Sequence, residues 1–499
     1  MDIEFRENPM AYLQEQIVEV LYQEETAELI VPDSSPDVRA VVDSSAVCCL
    51  RDQEVQAGSL AVSGAFQGSI LYTAEGEEQP FWMDAYLPFT AKLSRDEIRE
   101  NSRATAELRI RSVDARILNS RKLLLRVSYA VRLIAYGPAS LPLWDAESEE
   151  PVQLLRTTEA GFFPVAAGEK LMSFSESVEL PQTGSEVRRI VKTVPEIQLG
   201  ETAVADDRVV VKGAVQLHLV YLLENGQLGA FDVQLPVSQY IELDGNLSGG
   251  TAVVTASLTD FQLDAEDSGD YLATVGLRLQ TVVWKRLELP VIADGYCAGR
   301  AFEAAYDTFR IRQLLDEPAV SGTAEAALSG QPRKLVDCTA WVDFPVCRRG
   351  KDEVTAGTSV TMHALYYDEA GQLCGETVRA EESGSFALCD GAVCCADTDR
   401  SGGCFVSMGG AGGTISCPVT VRARCFAEKQ LQTMRAASVG EPLQEAADRP
   451  SLIVRRAGSQ DRLWDLAKAA GTTVRAIREA NSLEDESLEE GTLLLIPIT

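Results

Sequence analysis

Histidine is nearly absent from this sequence: only His218 and His363 occur among 499 residues. Histidine is the usual general acid or base near neutral pH and the commonest metal ligand. The chain also lacks the G-x-S-x-G, H-E-x-x-H and G-x-x-x-x-G-K motifs of hydrolases, zinc peptidases and phosphate-binding loops. We therefore predict that the protein is not an enzyme and that it uses no cofactor and no metal.

Long apolar segments are missing as well. No uninterrupted run of about 18 apolar residues occurs, so no membrane-spanning helix is predicted. Residues 1–10 carry Asp2, Glu4 and Glu7 where a secretory signal would have a basic start and an apolar run. We expect the protein to remain in the compartment where it is made, without membrane insertion.

Positive charge is in short supply, with 45 Lys and Arg against 75 Asp and Glu, giving a formal net charge of −30. Such a balance repels the phosphates of nucleic acids and anionic membrane surfaces. Two interpretations remain open. The acidic surface serves solubility, or it attracts a basic protein partner.

The 12 cysteines form no C-x-x-C pair. Three stand apart as Cys48, Cys49 and Cys297, and the other nine lie between Cys338 and Cys425. Thiols persist in a reducing cytosol, and adjacent cysteines are a poor spacing for metal ligands. The pattern favours buried or idle thiols, with oxidative cross-linking and a metal site as alternatives.

The sequence contains internal repeats, which are a signature of modular architecture. Residues 31–42 and 180–191 share an aliphatic-Pro pair, an acid, Val-Arg and two aliphatic residues in the same order. The offset of 149 that relates Pro32 to Pro181 also relates Gly64 to Gly213. A weaker third copy follows at an offset of 145 and lacks the Pro-containing start, so we describe it as degenerate.

The repeated segment has the period of a β-strand. In the second copy the apolar face carries Val215, Leu217, Leu219 and Tyr221. Gln216 and His218 alternate with them, and Asn225-Gly226 then provides a strong hairpin turn. Both histidines fall on the polar face of this strand, which predicts a surface or interstrand role. A short helix-like stretch is predicted over residues 37–42.

We therefore predict a mainly β protein built from tandem antiparallel β-sandwich-like repeats, three copies in all. The expected domains are β repeats at 1–140, 165–295 and 300–430, a linker at 431–450 and a small C-terminal domain at 451–499.

The C-terminal segment predicts a β-α-α-β domain. The expected elements are a strand at Leu452–Val454, a helix capped by Asp461 and ended by Gly471, a helix capped by Thr473 and ended at Asn481, and a strand at 492–498. The predicted inward faces consist of Leu463, Leu466, Ala467 and Ala470 on the first helix, and of Val474, Ile477 and Ala480 on the second.

The motifs at 463–468, 471–474, 479–483 and 491–497 resemble those of LysM domains in type, order and spacing. The resemblance implies a groove for N-acetylglucosamine-containing glycans between the loop before the first helix and the loop after the second. The corresponding residues are Gln460, Asp461, Arg462, Leu463, Asn481, Ser482 and Leu483.

The groove departs from the LysM pattern, because the usual Gly-Asp-Thr is replaced by Gln460-Asp461-Arg462. Glycine permits close backbone approach, and Gln and Arg are larger. The loop after Asn481 is rich in acidic residues. These changes favour protein docking over glycan binding at this surface.

The repeats, with Pro32 and the Pro36-Asp37-Val38 motif, resemble the SPOCS domains of clostridial spore-coat assembly proteins of the SipL type. The combination with LysM implies a structural adaptor in the mother-cell cytoplasm, at the forespore surface, that engages the coat-basement ATPase, stage IV sporulation protein A. The alternative is a protein of the cell wall or spore cortex that binds peptidoglycan or a chitin-type glycan. An enzymatic alternative, a glycosidase using two of the 75 acids, stays open on sequence alone.

Overall fold

The computed structural model of the chain describes residues 2–498 apart from 78, 182–184, 267–268, 388–390, 410–411 and 444–449. These residues form 26 β-strands, which pair antiparallel throughout, and two short α-helices near the C-terminus. The predicted fold class is confirmed. Neither helix in this part of the chain has the length and apolar character needed to cross a bilayer.

The first repeat is built from six long strands, β3–β8, with three short strands beside them. The strands are β1 (Asp2–Ile3), β2 (Phe5–Glu7), β3 (Met10–Ile30), β4 (Val38–Gln56), β5 (Ser59–Ala74), β6 (Phe81–Ser94), β7 (Arg103–Asn119), β8 (Lys122–Leu141) and β9 (Trp144–Ala146). They form two three-stranded sheets in the orders β3-β8-β7 and β4-β5-β6. The buried faces of these two sheets share one apolar cluster.

The second repeat has the same plan. Its strands are β10 (Val152–Val178), β11 (Val187–Val204), β12 (Arg208–Leu223), β13 (Leu228–Glu242), β14 (Thr251–Ala265) and β15 (Tyr271–Cys297). The sheets are β10-β15-β14 and β11-β12-β13, which match those of the first repeat strand for strand.

The third repeat keeps this plan with broken strands. Its strands are β16 (Arg300–Asp316), β17 (Ala319–Ala327), β18 (Lys334–Val342), β19 (Val346–Arg349), β20 (Glu353–Tyr367), β21 (Leu373–Ala387), β22 (Ala392–Arg400), β23 (Phe405–Gly409) and β24 (Gly412–Pro442). Strand β24 lies between the pairs β16/β17 and β22/β23, and β20 lies between the pair β18/β19 and β21. Three strands that are continuous in the other repeats are thus split in two, consistent with the degenerate sequence.

The predicted alternation produces the sandwich cores. In the central strand β12, the four residues predicted to face inward are buried, as are their counterparts in β5 and β20. Burial of a Val, Leu or Phe side chain contributes about 1.5–3 kcal/mol, so each central strand contributes substantially to its core.

The glycine that the first two repeats share is required for steric reasons. A Cβ on Gly64 would lie 2.1 Å from the carbonyl oxygen of Cys49, and a Cβ on Gly213 would lie 2.3 Å from that of Gln198. In both repeats the central strand crosses its neighbour too closely for any side chain at this position.

Two predictions about local structure are wrong. Residues 37–42 do not form a helix: from Val38 they belong to β4, whose register shifts at Val38/Ala40 and Val41/Asp43 disturb its alternation. The predicted linker at 431–450 belongs as far as Pro442 to β24, paired with β16, and residues 444–449 lie outside the described part of the chain. Leu431, Met434, Ala437 and Val439 are buried, and a register shift between Ala436 and Met434 interrupts their alternation with exposed residues.

The C-terminal domain consists of β25 (Leu452–Arg456), α1 (Leu463–Ala470), α2 (Val474–Asn481) and β26 (Leu493–Pro497). The cap at Thr473 is confirmed, since the Ala476 amide donates to its hydroxyl at 3.0 Å. Gly471 ends α1 with φ of 67°, also as predicted. Asp461 is not the cap of α1, whose N-cap residue is Arg462, and Ala480 is exposed rather than inward.

Candidate functional site

The loops predicted to form the LysM groove present three exposed side chains, those of Gln460, Arg462 and Ser482. The Arg462 side chain is 67% exposed and donates to Asp465 at 2.8 Å. Ser482 follows α2 in the left-handed conformation, with φ of 53°. These three residues are available to a partner at the protein surface.

The other four predicted groove residues have structural contacts. Asp461 accepts a hydrogen bond from the Gly458 amide and forms an ion pair with Arg455. Asn481 donates to two carbonyls and accepts from the Leu495 amide, which ties the end of α2 to β26. Leu463 is buried in the domain core, and Leu483 packs against that core. Their assignment to a binding groove stays a prediction.

The LysM-like domain is docked on the second repeat through Asp294 of β15. The indole Nε1 of Trp464 donates to Asp294 Oδ2 at 3.0 Å, and Lys468 Nζ lies 2.7 Å from the same oxygen. Burial acts to raise the pKa of Asp294, but the hydrogen bonds from Lys468 and Trp464 hold it below its ordinary value. The carboxylate is therefore ionised and joins the two domains.

An apolar contact accompanies this ion pair. The Tyr296 ring meets the Trp464 ring edge-on at a centroid distance of 5.0 Å, and Tyr296 OH donates to the Thr472 carbonyl at 2.9 Å. Tyr296 and Leu155 of the second repeat thus extend the core of the LysM-like domain. Trp464 fills the contact between domains as well as the small core to which its helix belongs.

A second polar cluster joins the three repeats, and we call it the junction. Lys192 Nζ lies 2.8 Å from Asp43 Oδ2 and 2.8 Å from Asp337 Oδ2, and all three side chains are at least 95% buried. Each of the three residues directly follows a register shift in its strand, at Val41/Asp43, Ile190/Lys192 and Leu335/Asp337. Such bulges re-aim side chains, here out of the sandwich and towards the neighbouring repeats.

The histidines belong to the same junction. His218 Nε2 lies 2.6 Å from Asp337 Oδ1, and its Nδ1 lies 2.6 Å from Asp232 Oδ1. His363 Nε2 approaches Asp43 Oδ1 at 3.2 Å without hydrogen-bond geometry. The surface alternative is therefore wrong for His363, whose outer strand face is covered by the first repeat. The interstrand alternative is confirmed, because His363 Nδ1 lies 2.9 Å from Thr377 Oγ1 on the paired strand β21.

The protonation states balance the buried charges. Burial acts to lower the pKa of His218, but Asp337 and Asp232 raise it to about 9, so the ring is cationic at neutral pH. Burial lowers the pKa of His363, so that ring is neutral. Burial also acts to lower the pKa of Lys192, but its two carboxylates raise it above its ordinary value. Two cations thus face the two buried carboxylates, which satisfies the requirement that buried charges be paired.

An apolar layer surrounds these charges. It contains Val42, Val191 and Val336, and Leu71, Val220 and Leu365. Within each set the members are separated by 149 and 145 residues, the offsets of the repeats. The same interior positions of all three sandwiches therefore meet at one place.

The junction could have been found from the sequence. Asp43, Lys192 and Asp337 are related by the same offsets of 149 and 145, and each follows two aliphatic residues. Ser69 occupies the position of the two histidines in the first repeat and donates to the Val191 carbonyl at 3.2 Å. The signal was hidden because the equivalent positions hold an acid, a base and an acid. For the domain contact, neither Asp294 nor Lys468 has a comparable signal.

Comparison with known families identifies two domains in the chain. The family model described as SipL, SPOCS domain matches residues 186–266, which include β11–β14 of the second repeat. The model of the LysM domain matches residues 459–497, including both helices. No curated protein and no solved structure matches the chain significantly. The chain therefore carries a SipL-family SPOCS domain and a C-terminal LysM domain, the pair of domains that its motifs predicted.

Proposed function

We propose that this protein is a non-enzymatic structural adaptor in spore-coat assembly. It acts in the mother-cell cytoplasm and docks to a coat-basement ATPase of the stage IV sporulation protein A type on the forespore surface. The pairing of a SipL-family SPOCS domain with a LysM domain supports a coat-associated role. The observation that carries the proposal is the fixed attachment of the LysM domain to the second repeat through Asp294 and Trp464.

This attachment matters because a rigidly presented surface loses less freedom on binding than a tethered domain does. Arg462 is exposed on that surface, and its guanidinium can form two hydrogen bonds to a carboxylate of a partner in place of Asp465. The rest of the chain carries a large negative charge, which discourages non-specific binding to anionic polymers.

The test measures binding of the purified full chain to the purified ATPase. We expect Arg462→Glu to weaken the complex about tenfold, because it removes a donor and introduces repulsion at the docking surface. The matched control is Arg422→Glu, which changes a similarly exposed arginine, 63% against 67%, in the third repeat. Equal affinities of the two variants would contradict docking through the LysM loops.

The LysM match itself favours a second candidate function, binding of peptidoglycan or a chitin-type glycan. Co-sedimentation with peptidoglycan separates the candidates. The adaptor proposal expects little retention of the wild-type chain and increased retention of Gln460→Gly/Arg462→Thr, which restores the family pattern. Strong retention of the wild type without ATPase binding would favour the glycan function instead.

The non-enzymatic part of the proposal has its own test. Peptidoglycan incubated with the chain should release no soluble fragments, because the protein is proposed to bind and not to cleave. Release of reducing ends above a buffer control would contradict the non-enzymatic proposal.

A further inference from the structure

Two cysteines of the third repeat face each other across neighbouring strands. Cys394 of β22 and Cys425 of β24 are direct partners in the antiparallel ladder. Their Sγ atoms are 3.7 Å apart, and both are free thiols. Cys394 is half-buried and Cys425 is buried.

The backbone geometry permits a disulfide between them. Directly opposed residues in an antiparallel pair have Cα atoms roughly 4.5–5.5 Å apart, and disulfides span about 4.4–6.8 Å. Rotation of the two side chains is therefore sufficient to reduce the Sγ–Sγ distance from 3.7 Å to the roughly 2.0 Å of a disulfide. No strand has to move.

Neighbouring thiols are less suited to this pairing. Cys395 is adjacent to Cys394, but successive side chains of a strand point to opposite faces of the sheet. Cys347 interacts with both thiols, but its ladder partner is Ala356 of β20. Cys338, Cys404 and Cys417 form a separate group, in which the Cys404 thiol interacts with the other two.

The position of the pair gives the bond a structural consequence. The β22 edge of the third repeat is short, and β23 continues it after a break, whereas the other two repeats have one continuous strand at that edge. A bond at this point would tie the start of β22 to β24 and close a loop of residues 394–425. Such closure restricts the unfolded chain and stabilises the folded repeat.

We propose that Cys394 and Cys425 are a modification site that forms a cross-strand disulfide when the protein meets a small-molecule disulfide such as oxidised glutathione. The Cys394 thiolate attacks the reagent and releases one equivalent of thiol. The Cys425 thiolate then attacks Cys394 Sγ and displaces the second equivalent. Two protein thiols and one reagent disulfide thus yield one protein disulfide and two reagent thiols.

The exchange should be slow at neutral pH. Burial raises the pKa of the Cys394 thiol to about 12, and the thiolate is the reactive form. The rate should therefore increase with pH over the range in which the protein stays folded. The pair then behaves as a structural bond that forms on prolonged exposure to oxidant, not as a fast sensor.

The experiment treats the folded full chain with oxidised glutathione, blocks remaining thiols, and maps disulfide-linked peptides by mass spectrometry without reduction. We expect a peptide linking residues 394 and 425, lost after reduction, and an increase in Tm of a few degrees. Cys425→Ser should lose both the linked peptide and the Tm increase, and Cys338→Ser, a control in the same repeat, should keep both.

Three results would overturn the proposal. These are persistence of both thiols after long exposure at mildly alkaline pH, preferential linkage through Cys347, Cys338, Cys404 or Cys417, and an unchanged Tm in a chain shown to carry the 394–425 bond. Because a Cys425→Ser chain could fold poorly, Cys394→Ser serves as a second variant at the less buried position. It should give the same loss of linkage.

Discussion

The protein has two contacts between domains, and they are built differently. At the junction of the repeats, Lys192, Asp43 and Asp337 are almost completely buried and each charge has an opposite neighbour. At the LysM contact, Lys468 is 43% exposed and Asp294 is 28% exposed. The buried contact makes three sandwiches into one unit, whereas the exposed contact holds a small domain at its edge.

This difference determines what each contact can tolerate. A buried ion pair contributes little over an apolar replacement, but removing one partner leaves a charge without solvent. A half-exposed pair is screened, and water replaces a lost partner at low cost. The stability of the repeats should thus be sensitive to pH and to substitutions at the junction. A substitution at the LysM contact should affect only the LysM domain.

The largest effect is expected from Lys192→Met. It leaves Asp43 and Asp337 facing each other without a cation between them, and we expect a loss of about 3–5 kcal/mol in the free energy of unfolding. Urea denaturation measures this loss. Lys212→Met is the control, since that lysine lies on the second repeat with 61% exposure and should change stability by under about 0.5 kcal/mol. Similar losses in both variants would show that the buried charges of the junction contribute no more to stability than an exposed lysine does.

The next effect is a decrease in stability with rising pH. Because the pKa of His218 is about 9 in the folded state, above its ordinary value of 6.5, its stabilisation is complete below pH 6.5 and is lost as pH rises through 9. We expect a loss on the order of 2 kcal/mol, after allowance for partial exposure. Unfolding midpoints across this range should decrease in the wild type and vary less in His218→Gln. A profile identical in both would contradict the cationic ring.

A smaller, local effect is expected from Asp294→Ala. The Trp464 indole and the Lys468 ammonium lose their shared acceptor, so the LysM domain should loosen by about 1–2 kcal/mol while the repeats stay folded. Hydrogen exchange should increase over 463–472 and stay unchanged in β12. Asp399→Ala, which removes an exposed ion pair with Arg422, should leave exchange in the LysM domain unaltered.

The smallest effect is expected from Arg462→Thr. Its ion pair with Asp465 lies at the surface, and such pairs contribute roughly 0–1 kcal/mol. Thermal denaturation should give a Tm within about 1 °C of the wild type. A large decrease would mean that Arg462 supports the fold and would make it unsuitable as a probe of docking.

Much of the fold was predictable because strand alternation and helix caps are local signals. The face of Val215–Tyr221 and the cap at Thr473 follow from period and hydrogen-bonding chemistry, and the structure contains both. The helix predicted over residues 37–42 was wrong because two register shifts in β4 disturb the alternation that identifies a strand.

The candidate sites were less predictable, because they depend on packing between domains. Alternation identifies the polar face that carries His363, but not the neighbouring repeat that covers it. Likewise, Trp464 matches a family motif, and nothing near it in sequence indicates Asp294 as its acceptor. Long-range partners of unlike sequence leave no local pattern, and only the repeat offsets relate the three charged residues of the junction.

The acid–base–acid order at the junction makes the three repeats non-interchangeable. A symmetric assembly of separate first or third repeats would bring three carboxylates to one point, and one of separate second repeats would bring three ammonium groups together. Only an assembly that contains both kinds of repeat neutralises the centre, and a single chain supplies both. The covalent linkage of the repeats therefore fixes which repeats meet at the junction and in what number. An isolated repeat should neither self-associate correctly nor substitute for its neighbour.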